Sequence, residues 1–264
     1  MYPTKYHKPA SVSDAAALLA TEGAKVLSGG QTLLPTMKQH LAAPSDLVDV
    51  RGIAELNGIS SDGGTITVGA ATRHADVAVN AEMRMQIPAL AKLADGIGDP
   101  AVRSMGTIGG SLANNDPAAD YPSAALALGA TIVTSKREIA ADDFFQGMFA
   151  TALDEVEIIT AVRFPIPSRA GYSKFRNPAS LYAMAGVFVA ETGGSVRVAV
   201  TGAGDDGVFR HEEMETALSS DFSAGALDGV SVSEEGMLRD IHGTKAYRAN
   251  LVKVMAKRAV EKAG

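Results

Sequence analysis

Two glycine-rich loops constrain this chain more than any other feature of its sequence. The first reads Ser-Gly-Gly-Gln-Thr over residues 28–32, and the second reads Thr-Ile-Gly-Gly-Ser over residues 107–111. Paired glycines let backbone N–H groups converge on an anion, because no Cβ atom is in the way. Asp116 and Asp120 follow the second loop, and a carboxylate suits a sugar hydroxyl. The two loops together predict a site for a nucleotide cofactor long enough to need both.

The composition indicates a globular protein with a large aliphatic core. Of the 264 residues, 46% are hydrophobic, only 5% are aromatic and none is Trp. This length allows one large domain or two modest ones. The formal net charge of −6 argues against a nucleic-acid surface, which needs a basic face. Because the chain has no cysteine, disulfides, a cysteine nucleophile and an iron–sulfur cluster held by this chain are excluded.

The N-terminal residues and the length of the apolar runs predict a cytoplasmic protein without a membrane span. Residues 1–6 contain no hydrophobic signal region. The longest apolar run, around residues 124–133, is too short to cross a bilayer. The five histidines have no metal-ligand spacing and no Ser-His-Asp order stands out, so we expect neither a metal site nor a catalytic triad.

Caps, turns and apolar spacing predict a mixture of helices and strands. Ser11 is the expected N-cap of a helix, with Asp14 three residues further on, and Pro88 opens another helix over residues 87–94. Further helices are expected over residues 33–40 (interrupted near Pro35), 122–128, 211–218 and 244–262. Strands are expected over residues 24–27, 46–50, 65–69, 130–135, 157–163, 181–191 and 195–201, the last two joined by a turn at 193–194. Because this order is mixed rather than strictly βαβ, an α+β fold is predicted.

A third glycine motif lies at residues 202–207 and reads Gly-Ala-Gly-Asp-Asp-Gly. It fits the G-x-G-x-x-G fingerprint of dinucleotide-binding domains. However, Asp205 and Asp206 would repel a pyrophosphate, and residues 220–236 contain no clear second strand that ends in an acid. We therefore interpret this motif as a turn between a strand and a helix.

Taken together, the motifs resemble those of a known family, the FAD-binding (medium) subunits of the molybdenum hydroxylases. This family includes the carbon monoxide dehydrogenase and xanthine dehydrogenase types. The strongest match is Thr-Ile-Gly-Gly-Ser-Leu-Ala at residues 107–113, followed by Asp116, Pro117 and Asp120. The similarity also includes residues 6–17, 28–35, 37–38, 44–51, 53, 55–56, 69–74 and 172–174.

The resemblance implies a domain organisation. An α+β FAD-binding domain of the PCMH type is expected at residues 1–167, with subdomains at about 1–56 and 57–167. A smaller α/β C-terminal domain is expected at residues 168–264, and FAD would lie between the two domains. Residues 164–167, Phe-Pro-Ile-Pro, are the best boundary because proline pairs are typical of linkers.

The same resemblance implies which residues bind the cofactor FAD. The first loop would wrap the pyrophosphate and ribityl region with Ser28, Gly29, Gly30, Gln31, Thr32 and Leu33. The second would be a further phosphate cradle made of Thr107, Ile108, Gly109, Gly110 and Ser111, with Ser111 in place of an asparagine that is common in relatives. Ile159 is expected to contribute as well.

Four further positions match residues that lie near the cofactor in relatives. Asp120 matches an acid at the adenosine end, and Lys174 matches a basic residue beside the flavin ring, although it could be a surface lysine. Tyr182 matches an aromatic that covers one ring face, or it is a half-buried strand tyrosine. Ile97 lies near the flavin in relatives, but core packing explains it equally well. His74 falls in a shared motif without an assigned role.

The resemblance implies a function as an electron-transfer flavoprotein subunit. Substrate would be oxidised at the molybdopterin of a large subunit, electrons would cross two-iron two-sulfur clusters of a small subunit, and FAD would pass them to an external acceptor. The absence of cysteine fits this division, since the clusters would belong to another chain. A non-catalytic nucleotide-binding or assembly module is the alternative. A self-contained flavin oxidase or reductase is a third reading, for which no substrate domain is evident.

Overall fold

The computed structural model describes residues 1–263, whose strands form three sheets. The strands are β1 (Lys5–His7), β2 (Lys25–Leu27), β3 (Asp46–Asp49), β4 (Ile59–Ser61), β5 (Thr65–Gly69), β6 (Thr131–Thr134), β7 (Glu138–Ala140), β8 (Ile159–Pro165), β9 (Arg169–Arg176), β10 (Ala183–Thr192), β11 (Ser195–Thr201) and β12 (Phe209–Arg210). The helices are α1 (Val12–Leu19), α2 (Leu33–Lys38), α3 (His74–Val79), α4 (Ala81–Gln86), α5 (Pro88–Asp95), α6 (Pro100–Met105), α7 (Ile108–Asn114), α8 (Tyr121–Leu128), α9 (Ala141–Phe144), α10 (Glu212–Ser220) and α11 (Lys245–Lys262).

The first sheet is parallel, with the strand order β1-β3-β2. Helix α1 begins as predicted, because the Ser11 hydroxyl accepts a hydrogen bond from the backbone N–H of Asp14 at 3.1 Å. The predicted interruption at Pro35 was wrong: α2 runs through it, since the proline lies in the first helical turn, where its missing N–H is not needed. Since β2 is an edge strand, the loop that follows it is free to line a cavity.

The second sheet is antiparallel, with the order β4-β5-β8-β6-β7. Helix α7 packs against this sheet, helix α8 packs mainly against β10 and β11, and both contribute to the largest core of residues 1–263. Leu90, Ile108, Tyr121, Phe144 and Phe164 are fully buried in this core. This packing fixes the start of α7, and with it the position of the second glycine loop.

The third sheet is antiparallel, with the order β12-β11-β10-β9. The predicted hairpin is confirmed: Gly193 and Gly194 join β10 to β11 with φ angles of 58° and 81°, which glycine adopts without strain. Residues 202–207 connect β11 to the antiparallel β12, and a helix follows only after that strand. The dinucleotide fingerprint therefore has no parallel βαβ unit around it, and the motif is a connection between two strands.

The hydrophobic core continues across the expected domain boundary. Strand β8 ends at Pro165 and β9 begins at Arg169. However, Phe188 and Ala199 of the third sheet belong to the same buried cluster as Val162 of the second. The α+β class is confirmed, whereas the division at residue 167 stays a prediction. Among residues 1–263, no helix is long and apolar enough to cross a membrane.

One glycine lets β9 pack closely on α11. A Cβ atom at Gly171 would overlap the carbonyl oxygen of Ala259. We expect Gly171→Ala to lower the free energy of unfolding by on the order of 3 kcal/mol, because strand and helix must separate. Urea unfolding measures this loss. Gly64→Ala is the matched control, since no described atom lies within 4 Å of the Cβ it would add; equal losses in both variants would contradict this account.

Candidate functional site

A cavity of about 600 Å³ lies between the two glycine loops and reaches the C-terminal part of the chain. Its volume is within the range of small-molecule and cofactor sites. Of the sixteen residues expected to bind the cofactor, fourteen line it: Ser28, Gly29, Gly30, Gln31, Thr32, Leu33, Ile97, Thr107, Gly109, Gly110, Ser111, Asp120, Ile159 and Tyr182. Ile108 and Lys174 do not.

The two loops are in direct contact with each other. The hydroxyls of Ser28 and Thr107 are hydrogen-bonded at 2.8 Å. Gly29 rests on the backbone that leads into the second loop, and a Cβ atom there would lie 2.5 Å from the carbonyl oxygen of Met105 and 2.6 Å from the Cα of Gly106. Gly29 is therefore required for the close approach of the loops, which places both on one cavity.

The first loop offers unused backbone donors to the cavity. Within residues 1–263, none of the backbone N–H groups of Ser28–Leu33 donates a hydrogen bond to a protein acceptor, whereas the Gln31 side-chain amide donates to the Gly29 carbonyl at 3.3 Å. Gly30 turns the chain with a φ of 70°, in the left-handed region that glycine adopts readily. These residues line the cavity, where a run of six backbone donors without a protein acceptor suits the oxygens of a phosphate group.

In the second loop, the backbone N–H groups of residues 108–111 all donate to protein acceptors. The N–H of Ile108 donates to the carbonyl of Thr72 at 3.2 Å, and that of Gly109 to the carbonyl of Ala70 at 2.9 Å. The next two N–H groups, of residues 110 and 111, both donate to Thr107, at 3.2 and 3.0 Å. Residues 108–111 therefore offer no free N–H group to the cavity, and their part in a phosphate cradle stays a prediction. Ile108 packs in the core instead.

The second loop contributes two features to the cavity: a glycine surface that has no side chain, and two hydroxyl groups. A Cβ atom on Gly109 would lie 2.6 Å from the Cβ of Ala70, so this glycine serves packing. A Cβ atom on Gly110 would come within 3.4 Å of only the Thr107 hydroxyl, at 3.0 Å, among the described atoms. Gly110 therefore faces the open cavity. The hydroxyls of Thr107 and Ser111 line the same wall.

A buried ion pair forms the end of the cavity nearest the third sheet. The ammonium of Lys174 lies 2.9 Å from Asp120 Oδ1, and both side chains are 4% exposed. Lys174 also donates to the carbonyl of Gly96 at 3.0 Å, next to Ile97 in the cavity wall. The surface-lysine interpretation of Lys174 was therefore wrong.

This contact also corrects the expected roles of the two residues. Because Asp120 and Lys174 touch, they cannot act at opposite ends of an extended dinucleotide. An adenosine role for Asp120 is incompatible with a flavin role for Lys174. Asp120, rather than Lys174, is the member of the pair that lines the cavity.

Around Asp120, burial is the largest influence on the pKa values of the ionisable side chains. Desolvation raises the pKa of Asp120, while the charge of Lys174 and the Tyr172 hydrogen bond act in the opposite direction. Burial also raises the pKa of Tyr182, assisted by the charges of Asp116 and Asp120. Tyr182 is 49% exposed, lies directly before β10 and lines the cavity, so its covering role and its role as a half-buried strand tyrosine both stay predictions.

Sequence reasoning did not assign His74, which the structure places in the cavity wall. Burial, with a smaller contribution from Arg103, lowers its pKa to about 4, so the imidazole is neutral at pH 7. A Cβ atom on Gly106 would lie 2.6 Å from its Nε2, so the ring supports the backbone on which Gly29 rests. The shared motif at residues 69–74 was the signal. Residues 153–155, 157 and 158 also line the cavity and were not assigned from the sequence.

These residues fit FAD. Free N–H donors of the first loop suit a diphosphate, Gly110 leaves space beside it, and the carboxylate of Asp120 can accept a hydrogen bond from a hydroxyl or a ring N–H. Within residues 1–263, no group of three or more His, Cys, Asp or Glu side chains could hold a metal ion.

Comparison with known proteins agrees with this fit. Residues 2–167 match a family model described as the FAD binding domain in molybdopterin dehydrogenase. The chain is 34% identical to the carbon monoxide dehydrogenase medium chain of Afipia carboxidovorans, with 98% of this chain and 96% of the relative covered. It is 35% identical to the nicotine 6-hydroxylase medium subunit of Paenarthrobacter nicotinovorans, with 98% and 97% covered.

Solved structures give the same result for the fold. The structure matches carbon monoxide dehydrogenase from Hydrogenophaga pseudoflava with a TM-score of 0.88 at 33% identity, covering 100% of this chain and 98% of that one. It matches quinoline 2-oxidoreductase from Pseudomonas putida with a TM-score of 0.88 at 30% identity, covering 99% and 97%. The loops, the cavity and these similarities lead to one conclusion: the chain belongs to the FAD-binding medium subunits of the molybdenum hydroxylases.

Proposed function

We propose that this chain transfers electrons within a heteromeric dehydrogenase, taking them from two-iron two-sulfur clusters of a small subunit and passing them to an external acceptor. A large subunit with a molybdopterin cofactor would oxidise the substrate. The observation that carries the proposal is the cavity with six free N–H donors in a chain of this family. Since the chain contains no cysteine, any clusters belong to partner chains.

The residues of the cavity would bind and orient the cofactor. The flavin of FAD supplies the electron-accepting chemistry when it is bound. The N–H groups of Ser28–Leu33 would hold the diphosphate, and Gly110 would let it approach the start of α7. Asp120 would accept a hydrogen bond at the end nearest the third sheet. Tyr182 would cover the cofactor at the mouth of the cavity.

The cofactor is expected to be FAD, held without a covalent bond. No cysteine is present for a thioether link, and no histidine lies in a recognisable attachment context. Denaturing the purified chain and centrifuging it should leave yellow FAD in the supernatant, which chromatography distinguishes from FMN. Recovery of FMN, or the absence of binding when FAD is added to refolded protein, would contradict the assignment.

The relay role is tested on the complex as it exists in the native organism. Co-purification should recover this chain with an iron–sulfur subunit and a molybdopterin subunit, and substrate should reduce the flavin only in that complex. A nucleotide-binding or assembly module would retain FAD that substrate cannot reduce. Oxidation of an organic substrate by this chain alone, at the rates of ordinary enzymes, would refute the relay.

A further inference from the structure

A buried glutamate anchors one wall of the cavity. The wall segment, residues 152–158, lies between α9 and β8, and five of its residues line the cavity. The Glu157 carboxylate accepts from the Thr134 hydroxyl at 2.6 Å and from Arg137 Nε and Nη2, each at 3.1 Å. It also accepts from the backbone N–H of Asp154 at 3.0 Å. Glu157 therefore joins the wall segment to the end of β6 and the turn that follows it.

The contacts of Glu157 leave no acceptor position for a ligand. Two ionised carboxylate oxygens provide about four acceptor positions, and the four hydrogen bonds use all of them. The side chain is also fully buried. Glu157 is therefore not suited to bind a cofactor itself, and any part that it has in the site must act through the residues it holds.

The wall segment has few other fixed points. At its start, the Ala152 N–H donates to the last carbonyl of α9 at 2.9 Å. At its end, the Ile158 N–H donates to the Ser135 hydroxyl at 3.1 Å. Between these ends, the backbone N–H groups of residues 155 and 156 have no acceptor within residues 1–263. The position of the middle of the segment therefore depends on the carboxylate of Glu157.

The partners of Glu157 keep it ionised. Burial by itself raises the pKa of Glu157, but the hydrogen bonds from Arg137, Asp154 and Thr134 outweigh burial and lower the pKa to about 2. The anchor is therefore charged at neutral pH, and hydrogen bonds to a charged group are stronger than those between neutral groups. Glutamine at this position would keep the shape of the side chain. However, it would lose the charge and would turn an NH₂ donor towards other donors.

We propose that Glu157, together with Arg137, is a positioning residue that holds the wall segment in the place that bound FAD requires. This inference rests on the proposed function. Leu153 is the wall side chain through which Glu157 would act, because it lines the cavity and packs against the largest core. Arg137 does not line the cavity, so its effect would reach FAD only through the wall segment.

The test compares Glu157 with a second buried glutamate that has the same type of anchor. Glu215 accepts from Arg210 Nε at 2.9 Å, from Arg210 Nη2 at 2.6 Å and from the Val198 N–H at 3.0 Å. None of these three residues lines the cavity. Urea unfolding of the full-length apoproteins should therefore show a loss of stability in both Glu157→Gln and Glu215→Gln.

The affinity for FAD should separate the two variants. In a titration followed by flavin fluorescence, Glu157→Gln should raise the Kd about tenfold, whereas Glu215→Gln should leave it unchanged. The control shows what a loss of stability alone does to binding. An unchanged Kd in Glu157→Gln, or an equal increase in both variants, would overturn the inference.

A double-mutant cycle tests whether the wall segment transmits the effect. Leu153→Ala should weaken FAD binding by itself, because it removes apolar surface from the wall. In that background, Glu157→Gln should raise the Kd by about threefold or less, since residues that act through one another have non-additive effects. A full tenfold increase in both backgrounds would mean that Glu157 does not act through Leu153, and would contradict the positioning role.

A milder variant keeps the inference testable if Glu157→Gln does not fold. Arg137→Lys changes a side chain that is 48% exposed and retains its charge, but lysine lacks the fork that bonds both carboxylate oxygens. It should raise the Kd for FAD about threefold, and Arg210→Lys should not change it. An unchanged Kd in Arg137→Lys would overturn the inference. Failure of the unchanged protein to bind FAD would instead refute the proposed function.

Discussion

Replacing Gly110 with valine is expected to weaken FAD binding at least tenfold, or about 1.4 kcal/mol. A Cβ atom at this position already lies 3.0 Å from the Thr107 hydroxyl, and the two added methyl groups would extend into the cavity. The same hydroxyl accepts from the Gly110 N–H and is bonded to Ser28, so the junction of the two loops would be crowded as well. Flavin fluorescence titration of the apoprotein measures the loss.

The neighbouring glycine provides the matched control. Gly109 also lines the cavity, but a Cβ atom on it would point towards Ala70, with 2.6 Å between the two Cβ positions. Gly109→Ala should therefore lower the free energy of unfolding, whereas Gly110→Val should chiefly lower affinity. Urea unfolding of the apoproteins separates the two effects. Unchanged affinity in Gly110→Val would show that this loop has only a structural role.

Replacing Lys174 with methionine is expected to destabilise the apoprotein by on the order of 3 kcal/mol at pH 8, because it leaves the carboxylate of Asp120 buried without its cation. Without Lys174, burial raises the pKa of Asp120 further above its unfolded value. The folded state then holds the proton more tightly than the unfolded state. Stability is therefore retained at low pH and is lost as the pH rises through the folded pKa, so the deficit should be smaller at pH 5 than at pH 8.

Two further variants test this explanation by urea unfolding at both pH values. Lys136→Met removes the cation of an exposed pair with Asp154, whose side chains are 43% and 60% exposed, and should change stability little. Adding Asp120→Asn to Lys174→Met removes the buried charge and should recover part of the loss at pH 8. A deficit that is equal at both pH values, and that the second substitution does not reduce, would mean that Lys174 acts through packing alone.

Capping residues, prolines and glycine pairs predicted where several helices start and where one hairpin turns, because these features depend on residues that are close in the sequence. Ser11 and Asp14 start α1, Pro88 starts α5, and Gly193 and Gly194 close the hairpin of β10 and β11. The predicted interruption of the helix at Pro35 was wrong because of where the proline lies in the helix. Helix α2 begins at the predicted residue 33, which places Pro35 in the first turn, where a proline is tolerated.

The sequence alone also located the cofactor loops, but not how each of them works. Both loops have a glycine pair, yet the six N–H groups of residues 28–33 have no protein acceptor, whereas those of residues 108–111 all have one. The difference depends on Ala70 and Thr72, whose carbonyls accept from the second loop and belong to a different segment of the chain. No spacing within residues 107–111 contains that information.

The sequence by itself determined the family, the α+β class and the location of the two loops, because the order and spacing of short motifs are sufficient to identify them. The tertiary structure alone decided which residues meet. Asp120 and Lys174 are 54 positions apart, and their contact follows from the packing of α8 against β10 and β11, which brings Asp120 to the sheet that contains β9. The sequence analysis assigned these two residues separate roles, but in the structure they form one buried ion pair. A carboxylate and an ammonium that are both removed from water are stable only when they pair and form hydrogen bonds.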